Sequence, residues 1–455
     1  MMKRKVKFTL STTQVIMLGF LGVILAGSGL LVLPFATKSG VSVGYLDALF
    51  TATTSTCVTG LVTLTTVDTW SVFGQIVILI LIQIGGLGVI TVSSCLLLLL
   101  HRKIGVKDSH LIQDAFNLNT LAELGKFVKK VVIGTLIIEA LGALLYMTVF
   151  IPDFGTKGIW IAVFNSVSAF CNAGIDIVSA DSLSAYACNP MVNFVTCTLV
   201  VLGGLGYIVW WDVIRVMREW KTYKFKSFQR LTLHSKIVLT VTSVLIFGGA
   251  LLFLLFEYNN PLTMGNYHFF DKLQMSFFQS VMTRTAGFSS VSQAGLTNGS
   301  AMLSILLMFI GGSPVGTAGG VKTVTVFVLF AMTLSTVTNK NETTVFHRTL
   351  SRQAIGKAMA VVGVFMSIVI ISTLMLAVAM PEASALDLIY ETVSATATVG
   401  LSRNLTASLN AWGKLVITGT MYLGRVGPIS LLIAFRTKKE IPNIIKNPTE
   451  EISVG

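Results

Sequence analysis

GYLDALFTATTSTCVTGL, residues 44–61, lies between apolar runs, yet it is too short and too rich in Ser and Thr to be a membrane span itself. Its pattern returns as WIAVFNSVSAFCNAGI (160–175), KLQMSFFQSVMTRTAGF (272–288) and ALDLIYETVSATATVGL (385–401). Near the end of each stands a glycine, Gly60, Gly174, Gly287 and Gly400, at intervals of 114, 113 and 113 residues. The tenth residue before each glycine is aromatic: Phe50, Phe164, Phe277 and Tyr390. Self-similarity at a fixed period marks a repeated structural unit.

The surroundings of these segments say where the unit resides. The chain has 455 residues, 53% of them hydrophobic and only 12% charged, against about 25% charged in soluble domains. Mean hydropathy is +0.79. Val15–Leu33, Val77–Leu100 and Val361–Met380 are each long enough to cross a hydrocarbon core of ~30 Å as a helix. The basic start, MMKRKVKF, resembles the charged region of a signal peptide, but no cleavage site clearly ends the first apolar run, so that run is expected to be a retained span.

Of the 33 Lys and Arg residues, 26 fall at 3–7, 102–130, 215–236, 322–357 and 436–446. The positive-inside rule assigns these segments to the cytoplasm. Between consecutive basic segments lie two apolar spans with a polar piece between them, which predicts eight spans and both termini inside. The expected fold is therefore an all-α integral membrane protein of four helix, pore-loop, helix units with pseudo-fourfold symmetry. The units run over 1–101, 102–220, 221–340 (its second span broken at 311–323) and 341–436, and 437–455 form a cytoplasmic tail. Segments assigned outside carry ten acids against five bases, Arg284 set aside, an excess that would concentrate cations at the mouth. The net charge of +13 is spread over separate segments, which argues against nucleic acid as a partner. Five cysteines form no CxxC pair. No cofactor is expected in the chain, and no nucleophile, base and orienting group cluster as in an enzyme.

Non-helical backbone at membrane depth is tolerated where it is buried in protein or lines a water-filled cavity. Four re-entrant loops converging on one axis would make such a cavity. A dehydrated alkali cation needs several oxygen ligands at once, and backbone carbonyls can aim at an axis only if some residue takes dihedral angles that glycine reaches cheaply. The C-terminal ends of the short helices add negative potential there. The expected ion-binding backbone is Val58, Thr59 and Gly60; Asn172, Ala173 and Gly174; Thr285, Ala286 and Gly287; and Thr398, Val399 and Gly400.

TCVTG (56–60), FCNAG (170–174), TRTAG (283–287), TATVG (396–400), IQIGGLG (82–88), VLGGLGY (201–207) and LGRVGP (423–428) together make the chain similar to the Trk/Ktr/HKT superfamily of potassium transporters over about 11–436. Within it the chain most resembles the KtrB-type membrane subunit of Ktr systems. The resemblance implies uptake of potassium across the cytoplasmic membrane, potassium bound at the filter only, and a homodimer seated on a cytosolic KtrA-like ring that binds ATP or ADP. Glycine at all four filter positions fits the potassium-selective branch; in related plant transporters that favour sodium the first is serine. The absence of an extra pair of spans before the first unit is the Ktr pattern. A sodium-coupled or sodium-selective transporter of the same fold is the alternative.

Off the filter, GGSPVGTAGGVKT (311–323) interrupts the third unit's second span with five glycines and a proline, and such residues cost ~1 and ~3 kcal/mol each in a helix. Lys322 lacks the preceding glycine of a phosphate-binding loop. In the resembling family a flexible loop here lies beneath the filter, so Gly311, Gly312, Ser313, Gly316, Thr317, Gly319 and Gly320 are expected to gate it. Arg425 joins them: it stands where the first two units have Gly86 and Gly204, and an arginine at membrane depth points to function. Its other reading is a structural pair with an acid. Arg284 is expected to support the filter by pairing with Glu391 or Asp176, or else to snorkel at the outer interface. Glu139 is either a functional site or a buried hydrogen-bonded carboxyl.

Overall fold

The main helix that follows each of the four polar segments starts at a side chain able to accept a backbone N–H. Ser71 accepts from Gly74, Asn189 from Met191 and Val192, Thr297 from Ser300, and Asn410 from Gly413. These caps satisfy N–H groups that have no partner within a helix's first turn. The computed structural model describes residues 12–88, 124–219, 227–340 and 342–427.

The main helices are α1 (Thr12–Leu31), α2 (Tyr45–Cys57), α3 (Val72–Leu87), α4 (Leu124–Phe154), α5 (Lys157–Phe170), α6 (Pro190–Leu205), α7 (Tyr207–Arg218), α8 (Leu233–Glu257), α9 (Phe269–Met282), α10 (Asn298–Phe309), α11 (Thr323–Val337), α12 (Arg352–Ala379), α13 (Ala385–Ala397) and α14 (Ala411–Val426). A longer helix, a short one ending at a glycine-bearing segment, and a second helix follow in that order at α1–α3, α4–α6, α8–α10 and α12–α14. The unit boundaries near 101, 220 and 436, the tail, and most of the basic segments at 3–7, 102–130 and 436–446 lie outside the described residues.

Among the described residues, Val128–Phe154 within α4, α8 and α12 are each long and apolar enough to cross a membrane, with the α6–α7 pair, bent by 100°, as a fourth candidate. Their outward faces are apolar, with Leu144 60%, Leu251 57% and Val378 85% exposed, as lipid contact requires. The shorter second helices differ from the expected full spans for a local reason. The run Val77–Leu100 is not one helix in its described part, because α3 stops at Leu87 where Gly88 takes φ 83° and ψ 138°. Gly206 and Gly427 end α6 and α14 at nearly the same angles. The all-α expectation also misses a small antiparallel hairpin, β1 (Thr344–Val345) with β2 (Arg348–Thr349). Three of its four strand residues, Thr344, Val345 and Thr349, are β-branched, and Phe346 and His347 turn it at φ 46° and 61°.

Polar contacts stitch neighbouring units together. Trp160 Nε1 donates to Gln75 Oε1 (2.8 Å), and the Leu183 amide to the Ser289 carbonyl (3.0 Å). Arg403 pairs with Asp387 (2.7 Å) and reaches the Gln293 carbonyl (3.3 Å). Lys414 meets Asp47 at 2.6 Å and so joins the last unit to the first. Of the four aromatic residues picked out by spacing, Phe50, Phe164 and Tyr390 are fully buried. Phe277 is half-buried, with its ring tilted by 47° against that of Phe247 at 6.0 Å.

Candidate functional site

The four short helices all end in the same backbone device. Val58, Asn172, Thr285 and Thr398, each two residues before its glycine, have φ of 55°, 60°, 66° and 52°, and Gly60, Gly174, Gly287 and Gly400 follow at 99°, 65°, 77° and 98°. Two left-handed residues separated by one that is not turn successive carbonyls to one side of the strand, the arrangement by which carbonyls replace an ion's hydration shell.

The four strands also close on one another. A methyl built on Gly60 would lie 2.6 Å from the Ala173 oxygen, one on Gly174 2.5 Å from that of Ala286, and one on Gly287 2.6 Å from that of Val399, while one on Gly400 would collide with the oxygen of Thr59. Each glycine thus faces the carbonyl just before the next glycine in chain order, and the fourth returns to the first. Only a residue without Cβ fits.

Hydroxyls six residues before the glycines hold three of the strands in shape. Thr54 accepts from the Gly60 amide (3.0 Å), Ser394 from that of Gly400 (3.1 Å) and Ser168 from that of Ile175 (3.2 Å). The third segment has Val281 at that place, and there the Ala286 amide bonds back to the Met282 carbonyl. These hydroxyls were missed in the sequence reading, although their constant offset from the glycine was visible.

A cavity of about 540 Å³ opens above the ring, lined by all four glycines together with Asp176 and Asp181 and, among the described residues, by no Lys or Arg. Burial pushes the Asp176 carboxyl up to about 6, against the opposing hydrogen bonds of Ser182, Val178 and Ser179. Protonation below that pH removes a negative charge from the mouth. If the ring passes cations, as the resemblance implies, rubidium uptake is expected to fall as external pH drops from about 7.5 to 5, and Asp176→Asn should show lower uptake with this limb of the profile flattened. Because the pKa is raised, the folded protein binds more protons than the unfolded chain in this interval. This group therefore adds stability as pH falls, and the loss of uptake cannot be ascribed to its unfolding the protein.

On the other side, the segment between α10 and α11 is a closed loop. Its ends are tied by Gly311 N to Val321 O (3.0 Å) and Val321 N to Phe309 O (3.1 Å), and Ser313 faces Thr323 at 3.4 Å. Its body fills the bend between α6 and α7. Ser313 N donates to Gly204 O (2.9 Å), Thr317 N to Gly203 O (3.2 Å), and Tyr207 N to Val315 O (3.0 Å). Gly316 packs on Gly203 and Gly206, Gly312 on Ala318 and Gly204, and Gly320, at φ 67°, on Gly311. At Gly319 a methyl would strike Thr398 Oγ1, so the loop reaches the fourth segment as well.

Three basic side chains grip this loop by its carbonyls. Arg425 donates to Thr317 O (2.6 Å) and Gly85 O (2.5 Å), Arg284 to Gly311 O (3.0 Å), and Lys322 to Ala318 O (2.6 Å). This corrects the expectation for Arg284, which meets neither Glu391 nor Asp176. A carbonyl lets it hold the loop without burying a second charge, and its Nη1 finds no partner among the described residues. Glu391 instead receives the hydroxyls of Ser402 (2.7 Å) and Thr406, bracing the strand after Gly400. Arg425 likewise pairs with no acid among the described residues. In the sequence Lys322 reads as a base of an inner segment and not as part of a phosphate-binding loop; in the structure its amine lies on the Ala318 carbonyl. Glu139 is buried, accepts from Gln83 Nε2 at 3.2 Å and lies 3.8 Å from Cys171 Sγ, behind the second strand.

A family model described as TrkH, cation transport protein, matches residues 8–447. The chain is 38% identical to the Ktr system potassium uptake protein B of Bacillus subtilis, covering 99% of this chain and 98% of the relative. It is also 38% identical to the potassium/sodium uptake protein NtpJ of Enterococcus hirae, over 100% of this chain and 99% of the relative. Among solved structures, the potassium transporter TrkH from Vibrio parahaemolyticus superposes with a TM-score of 0.74 at 16% identity, covering 96% of this chain and 87% of that one.

Proposed function

Because the chain belongs to the TrkH family of cation transport proteins, we propose that it carries potassium into the cell through a pore ringed by the four glycine segments and gated by the loop Gly311–Lys322. The family is one of membrane transporters and not of enzymes. The observation that carries the potassium reading is the closed ring, in which every filter glycine opens on the carbonyl preceding the next. A ring of backbone oxygens selects a cation without an ionised side chain. The proposal includes eight spans around a pseudo-fourfold axis, a multi-pass place in the cytoplasmic membrane with both termini inside, and a homodimer.

The loop's anchorage supports a regulated gate. Moving it aside breaks three backbone bonds and frees the carbonyls held by Arg425 and Arg284. At ~1 kcal/mol for each neutral bond and ~1.5 to 3 for each charged one, the closed state is favoured by several kcal/mol, and the open one is rare unless something binds it preferentially. A cytosolic KtrA-like ring carrying ATP or ADP and docking on the basic inner face is the proposed source of that energy.

Sodium is the second reading, favoured by the likeness to a relative whose name includes both ions. Rubidium and sodium uptake into proteoliposomes separates the two. Rubidium uptake that a tenfold excess of sodium hardly inhibits is the expected result; sodium preference overturns the potassium assignment, and uptake of neither ion by the protein with its partner overturns transport.

A further inference from the structure

The contact between gate and filter is concentrated on one side chain. Thr317 gives its amide to Gly203, its carbonyl to Arg425, and its hydroxyl lies 2.8 Å from Asn172 Oδ1 and 3.2 Å from the Phe170 carbonyl. Thr317, Asn172, Phe170 and Gly203 are buried, and Arg425 is half-buried. Gly203 leaves the room for this meeting, since a methyl there would sit 2.6 Å from Asn172 Oδ1, 2.7 Å from Thr317 Oγ1, and in collision with the Phe170 oxygen. A hydroxyl has one proton for two acceptors. The Asn172 Nδ2, which has no partner among the described residues, resolves the competition when the amide is turned over: it donates to Thr317 Oγ1, and the hydroxyl donates to Phe170.

Asn172 is also the left-handed residue of the second filter strand. The other three segments place Val58, Thr285 and Thr398 at this point with similar φ, so the backbone shape does not itself demand an amide. In the first segment Val58 packs against Gly85, which corresponds to Gly203, with no hydroxyl between them. The second segment alone combines an amide at this point with a hydroxyl supplied by the loop.

Resting on the transport reading above, we infer that Thr317 is a latch through which the gate loop positions Asn172, so that release of the loop also relaxes one quarter of the filter. Gate and filter, which sequence treats as separate parts, then act as one. A displaced loop passes more ions and discriminates among them less well.

The test is rubidium uptake and its inhibition by sodium in three variants. Thr317→Val removes the hydroxyl while keeping the shape, Thr317→Ser restores it, and Asn172→Val copies the residue that the first segment already accepts at this backbone conformation. The latch predicts that Thr317→Val raises flux and lowers the preference for rubidium about fivefold, the worth of roughly one hydrogen bond. It predicts that Thr317→Ser behaves as the unmodified protein, and that Asn172→Val and Thr317→Val combined lose no more selectivity than either alone. Raised flux with unchanged selectivity in Thr317→Val overturns the latch and leaves the gate standing, as does full additivity in the double variant. If Thr317→Val does not fold, the serine and Asn172→Val variants still decide: selectivity kept in Asn172→Val overturns the proposal. Failure of the unmodified protein to take up rubidium would instead strike at the transport reading.

Discussion

Replacing Gly60 by serine is expected to cost at least about tenfold of the preference for rubidium over sodium, the effect of roughly 1.4 kcal/mol on the difference between the two ions. Gly60 has φ 99°, and its missing Cβ would lie 2.6 Å from the Ala173 oxygen and 3.2 Å from the Gly400 Cα. Both neighbours are backbone, so neither can swing away as a side-chain end would. The serine therefore adds strain of ~1 to 3 kcal/mol and displaces a carbonyl that belongs to the next strand. Sodium, smaller and more strongly hydrated, gains from a ring that no longer fits potassium. Sodium competition against rubidium uptake reads the result, and an unchanged ratio in a well-expressed variant removes Gly60 from the filter.

The second large effect is expected at Arg425. Its two donated bonds reach carbonyls on the loop and on α3, and bonds from a charged donor are worth ~1.5 to 3 kcal/mol each. Loss of the one that holds Thr317 should raise the open fraction about tenfold or more, and the same change removes a positive charge that opposes cations near the pore. Arg425→Ala should then increase flux per molecule and weaken its dependence on a cytosolic partner. Deletion of Val315–Ala318 should go further and, by the latch argued above, at some expense of selectivity. A purely structural arginine behaves differently: its removal lowers protein yield and thermal stability without raising flux, and reduced flux from a normally folded Arg425→Ala protein refutes the gate.

The four repeated glycine segments and the broken segment were legible in the sequence because both leave local signatures, a fixed interval in one case and a dense run of glycine in the other. The side-chain partners were not. Arg284 was expected to find an acid, since unpaired charge at depth is costly, but a backbone carbonyl 27 residues away serves it instead. Carbonyls have no letter in the sequence. Thr317 and Asn172 are 145 residues apart and share no period, so only the folded chain brings them together. Lys322 looked like one of many topological bases until its amine was seen on Ala318. The early end of α3 at Gly88 does carry a signature, because IQIGGLG and VLGGLGY share GGLG and both helices stop at its last glycine.

The four glycine segments are near equivalents, but among the described residues the proposed gate loop comes from the third unit alone. A channel built from four separate subunits has four gating elements, and can open in stages or sharpen its response by coupling them. Among the described residues this chain offers one. Under the proposed gating its permeation switch would be all-or-none per chain, and a regulator acting on a single chain would meet a response no steeper than simple saturation. Any sigmoid dependence on a controlling nucleotide must arise outside the pore, in communication between paired chains or within the assembly that binds them.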